Sequence, residues 1–128
     1  MNIEYKDGLL FTTVDLVYQG RRKTINNIVI DTGASETIIS PDVVEDLDIF
    51  ADPNDKIVSY YGIGGSIHNA FVKTVDEIRI GELKVKKTKL DFGLIDINSK
   101  INGLLGLDIL IDTEVIIDLK NMRLKFDQ

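Results

Sequence analysis

Short apolar runs rich in valine and isoleucine alternate with glycine, asparagine and aspartate along most of the chain. This pattern predicts a mostly β fold. Leu9–Tyr18 and Lys23–Ile30 form a predicted hairpin that turns at residues 19–22. The second arm ends in Ile28–Ile30, which is apolar enough for a buried central strand. We therefore expect Asp31 to lie where a core strand ends.

Further strands and one or two short helices complete the predicted elements. Ser40 as a cap, Pro41 at the first helical position and acids in the next turn predict a helix of about two turns. The stretch Asn102–Leu110 predicts a strand end that passes into a short helix. The remaining apolar segments predict strands at Ile57–Tyr61, Ala70–Val75, Ile78–Ile80, Leu83–Val85 and Leu90–Ile95, and a terminal hairpin of Glu114–Leu119 and Met122–Phe126.

Composition limits the possible functions. The chain has 128 residues, 44% of them hydrophobic, which suits one globular domain spanning residues 1–128. Its net charge of -6 argues against nucleic-acid binding, because phosphate contacts need a basic surface. The absence of cysteine excludes disulfides and a cysteine nucleophile. No apolar run approaches the roughly 20 residues that span a bilayer, and signal-peptide features are lacking, so we expect a cytoplasmic protein without membrane contact.

The candidate chemistry lies in Asp31-Thr32-Gly33, which directly follows the predicted core strand. Aspartate and glycine also favour ordinary turns, so the tripeptide alone is a weak signal. Two features strengthen it. The apolar strand before it would hold the Asp31 carboxylate at the end of a sheet, and a second apolar pair ending in glycine, Leu104-Leu105-Gly106, recurs downstream. A carboxylate supported in this way indicates a functional group rather than a surface turn.

The order of these motifs resembles that of the retropepsin-like aspartic proteases. Ile30–Ser35 is followed by a predicted helix, a glycine-rich hairpin and then Gly103–Asp108. The Gly-Leu-Asp continuation and the later Ile117–Leu119 are most similar to the protease domain of the eukaryotic DNA-damage-inducible proteins and their bacterial relatives. The resemblance covers about Ile28 to Leu119. It implies a closed, mostly antiparallel β-barrel of the acid-protease type with one or two short helices.

The resemblance also implies an aspartic endopeptidase that works as a homodimer on an extended peptide, with no cofactor or metal. In this class two carboxylates about 3 Å apart share one proton, because they cannot both ionise, and so activate water on one side and the peptide carbonyl on the other. This chain holds one Asp-Thr-Gly, since Asp112-Thr113 is followed by Glu114. Twofold symmetry would bring the second Asp31 from another copy.

The same resemblance implies roles for the neighbouring residues. Thr32 would bond to the partner's loop across the dyad, and Gly33 would let backbone amides approach the carboxylates. Ala34 and Ser35 would line the floor of the substrate groove. A flap at Tyr60–His68 would close over the peptide, although a plain hairpin turn is the alternative there. The predicted flap residues in contact with substrate are Gly62, Ile63, Gly64 and Gly65.

The sequence departs from the retroviral members at two positions. Those proteins carry an acid after Asp-Thr-Gly-Ala and an arginine after the downstream glycine, which form an ion pair; here the positions hold Ser35 and Leu107. His68, the single histidine, lacks the companions that a metal site or a triad needs, and Asp108 is interpreted as a structural residue at a helix N-terminus. Two alternatives stay open: a catalytically silent module of the same fold for dimerisation or peptide binding, and an unrelated β-barrel that contains Asp-Thr-Gly by chance.

Overall fold

The structure, a computed structural model, describes residues 1–61, 67–95 and 100–126. These residues contain ten strands and one α-helix. The strands are β1 (Glu4–Lys6), β2 (Leu9–Tyr18), β3 (Arg21–Ile30), β4 (Ile38–Ile39), β5 (Ile57–Tyr61), β6 (Ile67–Ile80), β7 (Leu83–Gly93), β8 (Gly103–Leu105), β9 (Val115–Asp118) and β10 (Arg123–Phe126). The helix, α1, covers Leu107–Asp112. The predicted mostly β fold is confirmed.

Six strands pair into a ring. The order runs β2, β3, β8, β4, β7, β6, and β6 then pairs with β2 again. Strand β1 pairs with the start of β2, β5 pairs with β6, and β9 and β10 form a separate hairpin. Most pairs are antiparallel, as predicted, but β3–β8 and β4–β7 are parallel. The parallel β3–β8 pair matters for function, because it makes two strands end side by side.

The core lies where the apolar faces of the ring meet. On β2, Val14 and Leu16 are 1% and 0% exposed, as expected for residues two apart on one face of a strand. Phe92 of β7 is also buried and stacks on Phe71 of β6, with ring centroids 5.5 Å apart. Burial of such side chains stabilises the ring by roughly 1.5–3 kcal/mol each. The ends of the central strands are therefore firmly anchored.

The predicted helix after Ser40 is wrong in type. Pro41–Val43 and Glu45–Leu47 form two short 3-10 turns instead. The Ser40 side chain makes no capping hydrogen bond, and Asp48 ends the second turn in a left-handed conformation with φ 58°. Val44, between the turns, is 0% exposed. Burial of Val44 in the core holds this segment in two short turns. A regular helix would continue in one direction and would move Val44 out of the core. In the described ranges, no helix has the length and hydrophobicity needed to cross a membrane.

Two long strands replace the four short ones predicted between residues 70 and 95. Strand β6 continues through Asp76, and β7 continues through its lysines to Gly93, so residues 94–95 lie outside it. Polar side chains on the outer face do not interrupt a ladder, because the pairing is made by the backbone. Asp76 accepts hydrogen bonds from the amides of Gln19 and Gly20, at 3.1 and 2.9 Å. The polar residue that suggested a break therefore ties β6 to the β2–β3 turn.

Candidate active site

Asp31 lies where two parallel strands end side by side. Ile28 to Ile30 of β3 pair with Gly103 to Leu105 of β8. The Asp31 N–H continues this pairing, since it donates to the Leu105 carbonyl at 3.0 Å. Ile28 and Leu105 are both 0% exposed. Asp31 thus follows a core strand, in the position that the sequence predicts.

The Asp31-Thr32-Gly33 segment turns tightly at the end of β3. The Gly33 N–H donates to Asp31 Oδ1 at 2.9 Å, and the Ala34 N–H donates to the Asp31 carbonyl at 3.2 Å. Asp31 is partly exposed, whereas Thr32, Gly33 and Ser35 are exposed in the single chain. A backbone amide therefore fixes one carboxylate oxygen of Asp31 while solvent still reaches the residue.

Helix α1 holds the second half of this loop through the backbone. The Leu107 N–H donates to the Ala34 carbonyl at 2.8 Å, and the Asp108 N–H donates to the Ser35 carbonyl at 3.1 Å. Both bonds are independent of side-chain chemistry. They connect the loop to the helix although Ser35 and Leu107 cannot form the ion pair of retroviral proteases.

Gly106 is the point of closest approach between β8 and the loop. A Cβ atom there would lie 2.6 Å from the carbonyl carbon and oxygen of Glu36 and 3.0 Å from the Ala34 oxygen. These are backbone atoms in a close-packed region, so they cannot move aside at low cost. Packing therefore requires glycine at this position, which explains the apolar-apolar-glycine motif downstream of Asp-Thr-Gly.

Thr37 and Asp108 form a second link between loop and helix, which the sequence analysis missed. The Thr37 hydroxyl donates to Asp108 Oδ1 at 2.6 Å, and the Thr37 N–H donates to Oδ2 at 3.0 Å. The Gly106 N–H donates to the same hydroxyl at 3.0 Å. Thr37 is 1% exposed. Asp108 is thus structural, as predicted, but it holds the active-site loop as well as its own helix, where it accepts from the Ile109 N–H at 2.8 Å.

A groove of about 320 Å³ borders the loop. Ala34 and Ser35, the predicted floor residues, line it together with Gly33. Tyr60 of β5 and His68 of β6 line it too, and they lie opposite each other in the β5–β6 register. The structure therefore brings the loop together with the base of the predicted flap. The predicted tip residues Gly62, Ile63, Gly64 and Gly65 lie outside the described residues.

Asp91 is a buried carboxyl beside this groove, and the sequence analysis missed it too. It lies on β7, is 9% exposed, and accepts a hydrogen bond at Oδ2 from the Tyr60 hydroxyl. Burial, followed by the nearby charges of Glu36 and Asp108, raises the pKa of Asp91 to about 6, while the Lys56 charge acts in the opposite direction. An acid inside the apolar run at residues 90–95 was the available signal.

Sequence comparison assigns the family. The family model described as aspartyl protease matches residues 14–109, which is most of the chain. The chain belongs to the aspartyl protease family. The loop at Asp31, the Leu104-Leu105-Gly106 motif and the start of α1 all fall within the residues that match the aspartyl protease model.

Solved structures of three proteins share the fold. A retropepsin-like aspartic protease from Rickettsia conorii has a TM-score of 0.65 at 23% identity, covering 94% of this chain and 83% of the other. The retroviral protease-like domain of Ddi1 from Leishmania major has a TM-score of 0.64 at 16% identity, covering 94% of this chain and 89% of the other. EIAV protease complexed with the inhibitor HBY-793 has 0.64 at 22% identity, covering 91% and 99%. The comparison with curated proteins found no match. The fold is retropepsin-like.

Proposed function

We propose that the chain is an aspartic endopeptidase that acts as a homodimer, with Asp31 of each copy forming the catalytic dyad. The observation that carries the proposal is the Asp31 loop: a partly exposed carboxylate on a core strand, next to a groove and held to β8 and α1 by the backbone. The chain has one Asp-Thr-Gly, so a complete dyad needs a second copy. Membership of the aspartyl protease family supports this chemistry.

The dyad would hydrolyse a peptide bond by transferring protons in two stages, the attack of water and the collapse of the intermediate. The ionised Asp31 takes a proton from water as the water oxygen attacks the carbonyl carbon. The protonated Asp31 of the other copy gives its proton to the carbonyl oxygen. The tetrahedral intermediate then collapses and its C–N bond breaks. The first Asp31 gives the proton taken from water to the leaving amine nitrogen, and one hydroxyl of the intermediate returns a proton to the second Asp31, which restores the shared proton. A shared proton suits both roles, because two neighbouring carboxylates cannot ionise together.

Exposed residues support the second copy. Thr32 and Gly33 are exposed in the single chain, as a loop that meets its twin across a twofold axis would be. Ile111, Ile116 and Leu119, in α1 and the hairpin after it, are 69%, 46% and 58% exposed. We propose that the partner covers these apolar side chains when the dyad assembles. Thr32 would then exchange hydrogen bonds with the partner's loop.

Substrate would bind as an extended strand in the groove. Ala34 and Ser35 line the groove and would offer backbone groups to the peptide, a common form of strand addition. Gly62, Ile63, Gly64 and Gly65 stay predicted contacts on the flap side. The groove residues Ile38, Leu94 and Leu104 are apolar, so apolar side chains next to the cleaved bond would fit.

The decisive experiment compares the wild-type protein with Asp31→Asn. Both are incubated with a proteome-derived peptide library, cleavage sites are identified by mass spectrometry, and the oligomeric state is measured by sedimentation. We expect cleavage by wild type, none by Asp31→Asn, and a dimer in both, because the amide is nearly isosteric and removes charge repulsion. The rate should depend on pH in a bell shape, since one carboxyl of the dyad must be protonated and the other ionised.

Mixing the two proteins sharpens the test. Each mixed dimer has one carboxylate, so excess Asp31→Asn should suppress wild-type cleavage. Cleavage that survives in pure Asp31→Asn would overturn the catalytic assignment. Cleavage by a wild-type monomer would overturn the dimer. A dimer that binds peptides but cleaves none of the library would favour the alternative of a silent binding module.

Thr32→Ala tests the proposed bridge between copies. Loss of a buried hydroxyl at each copy of a symmetric interface costs about 1–3 kcal/mol per unsatisfied partner. We therefore expect a weaker dimer with little change in the thermal unfolding of the isolated chain, where Thr32 is exposed. An unchanged dimer dissociation constant in sedimentation would show that Thr32 does not bridge the two copies.

A further inference from the structure

A second, outer cavity lies next to the substrate groove. This outer cavity has a volume of about 580 Å³. Glu36 and Tyr60 line both the outer cavity and the groove next to Asp31, so they stand at the junction. A side chain of a bound peptide that extends past these two residues would reach the outer cavity.

The lining of the outer cavity carries charges of both signs. Near the junction, Glu36 and the buried Asp91 line it, and the Tyr60 hydroxyl donates to Asp91. Among the lysines of the lining, Lys73 is already paired, at 2.5 Å with Asp52 and at 2.9 Å with Asp55. Lys56 and Lys89 are exposed to solvent, which screens their charge. Glu36 is exposed in the same way, whereas Asp91 is buried, so the Asp91 carboxylate is the charge near the junction that solvent screens least.

Part of the lining of the outer cavity suits a long side chain. Val58 and Val72 line the cavity and offer apolar surface. Lysine and arginine lay their methylene stems along such surface while the charged end reaches a polar partner. The desolvation of Asp91 is already present in the free protein, so a cation would gain a charge-assisted bond without a new burial cost on the protein side.

We infer that the outer cavity is a specificity subsite for a basic side chain of the substrate, with Glu36 and Asp91 as the residues that select it. The inference rests on the proposed peptidase function and adds the substrate class to it. An extended peptide places alternate side chains on one face, so one residue can occupy the groove beside Asp31 while another, further along, enters the outer cavity. Substrates should accordingly carry lysine or arginine at one fixed position outside the cleaved bond.

Binding to the Asp31→Asn dimer tests the inference without cleavage. A random peptide library is enriched on this dimer, and the best peptide is resynthesised with lysine, norleucine or glutamate at its most selected outer position. We expect the lysine peptide to bind on the order of tenfold more tightly than the norleucine peptide, as for a charge-assisted bond in a partly buried site. The glutamate peptide should bind most weakly.

Charge variants then assign the preference to the subsite. Glu36→Gln and Asp91→Asn, each in the Asp31→Asn background, should each reduce the lysine preference several-fold. Glu82→Gln is the matched control. Glu82 is exposed in the β6–β7 turn, and its substitution by glutamine removes the same charge. An equal effect of Glu82→Gln would reduce the preference to net charge and overturn the inference. Since Glu36 is exposed, its variant remains informative if Asp91→Asn unfolds.

Cleavage by the wild-type protein separates this inference from the proposed function. Cleavage that does not depend on the side chain at the outer position, or that favours an acidic side chain there, would overturn the proposed subsite. The proposed peptidase function would still stand. Lysine-selective binding that depends on Glu36, without cleavage of the same peptide, would overturn the peptidase and leave a subsite that binds basic side chains. No enrichment of any peptide on the dimer would overturn both.

Discussion

The two walls of the groove are built differently. On the Asp31 wall, backbone hydrogen bonds join the loop to β8 and α1, and Gly106 allows the closest approach. On the opposite wall, β5 pairs among the described strands with β6 alone, and Ile57 and Ile67 are 58% and 61% exposed. There a side-chain contact, from Tyr60 to Asp91, crosses from β5 to β7.

The difference suggests separate tasks: backbone contacts fix the position of the proposed catalytic groups, and charged side chains recognise the substrate. Groups that act on a reacting bond must be fixed before substrate arrives, and backbone contacts within a packed core do this with little dependence on side-chain identity. Asp91 on the opposite wall and Glu36, which follows the Asp31 loop, are the charges that a basic side chain of the proposed substrate would meet. We expect substitutions at the packed positions of the Asp31 wall to affect folding and turnover, and substitutions of Glu36 and Asp91 to affect recognition.

The largest effect is expected from Gly106→Ala on the Asp31 wall. The added methyl group would overlap the backbone of Glu36, so we expect the free energy of unfolding to fall by about 3 kcal/mol. Gly33→Ala is the control within the same loop. Its Cβ would meet only Asp31 Oδ1, at 3.2 Å, and we expect a loss of about 1 kcal/mol or less. Urea unfolding measures both, and equal losses would contradict a packing requirement specific to Gly106.

A somewhat smaller effect is expected from Thr37→Val, which keeps the shape and removes the hydroxyl. The Gly106 amide would lose the Thr37 hydroxyl as its acceptor, and Asp108 Oδ1 would lose one of its two donors, at a combined cost of about 2 kcal/mol. Thr37→Ser keeps the hydroxyl and should recover most of the stability. If catalysis depends on a fixed loop, Thr37→Val should also lower kcat more than it changes KM. Serine and valine variants of equal stability would show that the link is not needed.

Much of the Asp31 wall could be predicted from sequence because its signals are local. An apolar strand runs into Asp31, and Leu104-Leu105-Gly106 runs into a helix. The order of these motifs also carried the resemblance to the retropepsin-like aspartic proteases. Their pairing, β3 with β8 in parallel, confirms the platform.

The side-chain links could not be predicted, because they depend on the order of strands in the sheet. Thr37 and Asp108 are 71 positions apart, and they meet because β8 lies between β3 and β4. Tyr60 and Asp91 are 31 positions apart and lie on strands separated by β6. An acid within an apolar strand signals a buried carboxyl, but it does not name the partner. Short-range rules also predicted a helix after Ser40, where burial of Val44 in the core gave two 3-10 turns.

The smallest effect is expected at Asp91, on the opposite wall. Its pKa is about 6 in the folded chain, above its usual value, so the fold favours the protonated acid. Its contribution to stability is therefore fully present below about pH 4 and is lost as the pH rises through about 6. Asp91→Asn removes this pH dependence. At pH 8 its free energy of unfolding should exceed that of wild type by about 1–2 kcal/mol, because the Tyr60 hydrogen bond offsets part of the desolvation of Asp91.

Asp118→Asn gives the control of opposite sign. The Lys125 ammonium at 2.8 Å, together with Asn121, holds the pKa of Asp118 well below its usual range. Wild type should therefore gain stability over Asp118→Asn as the pH rises toward about 4 and keep that gain at higher pH, because the carboxyl is then ionised in the unfolded chain as well. Glu36, Asp108 and Lys56 also act on the titration of Asp91, and Lys73 and Lys89 line the same cavity. Those groups are the same in wild type and Asp91→Asn, so the difference between their urea-unfolding curves from pH 4 to 8 reports Asp91. A difference that does not change with pH would show that Asp91 titrates as an exposed acid, and that the opposite wall lacks the buried charge on which the comparison of the two walls depends.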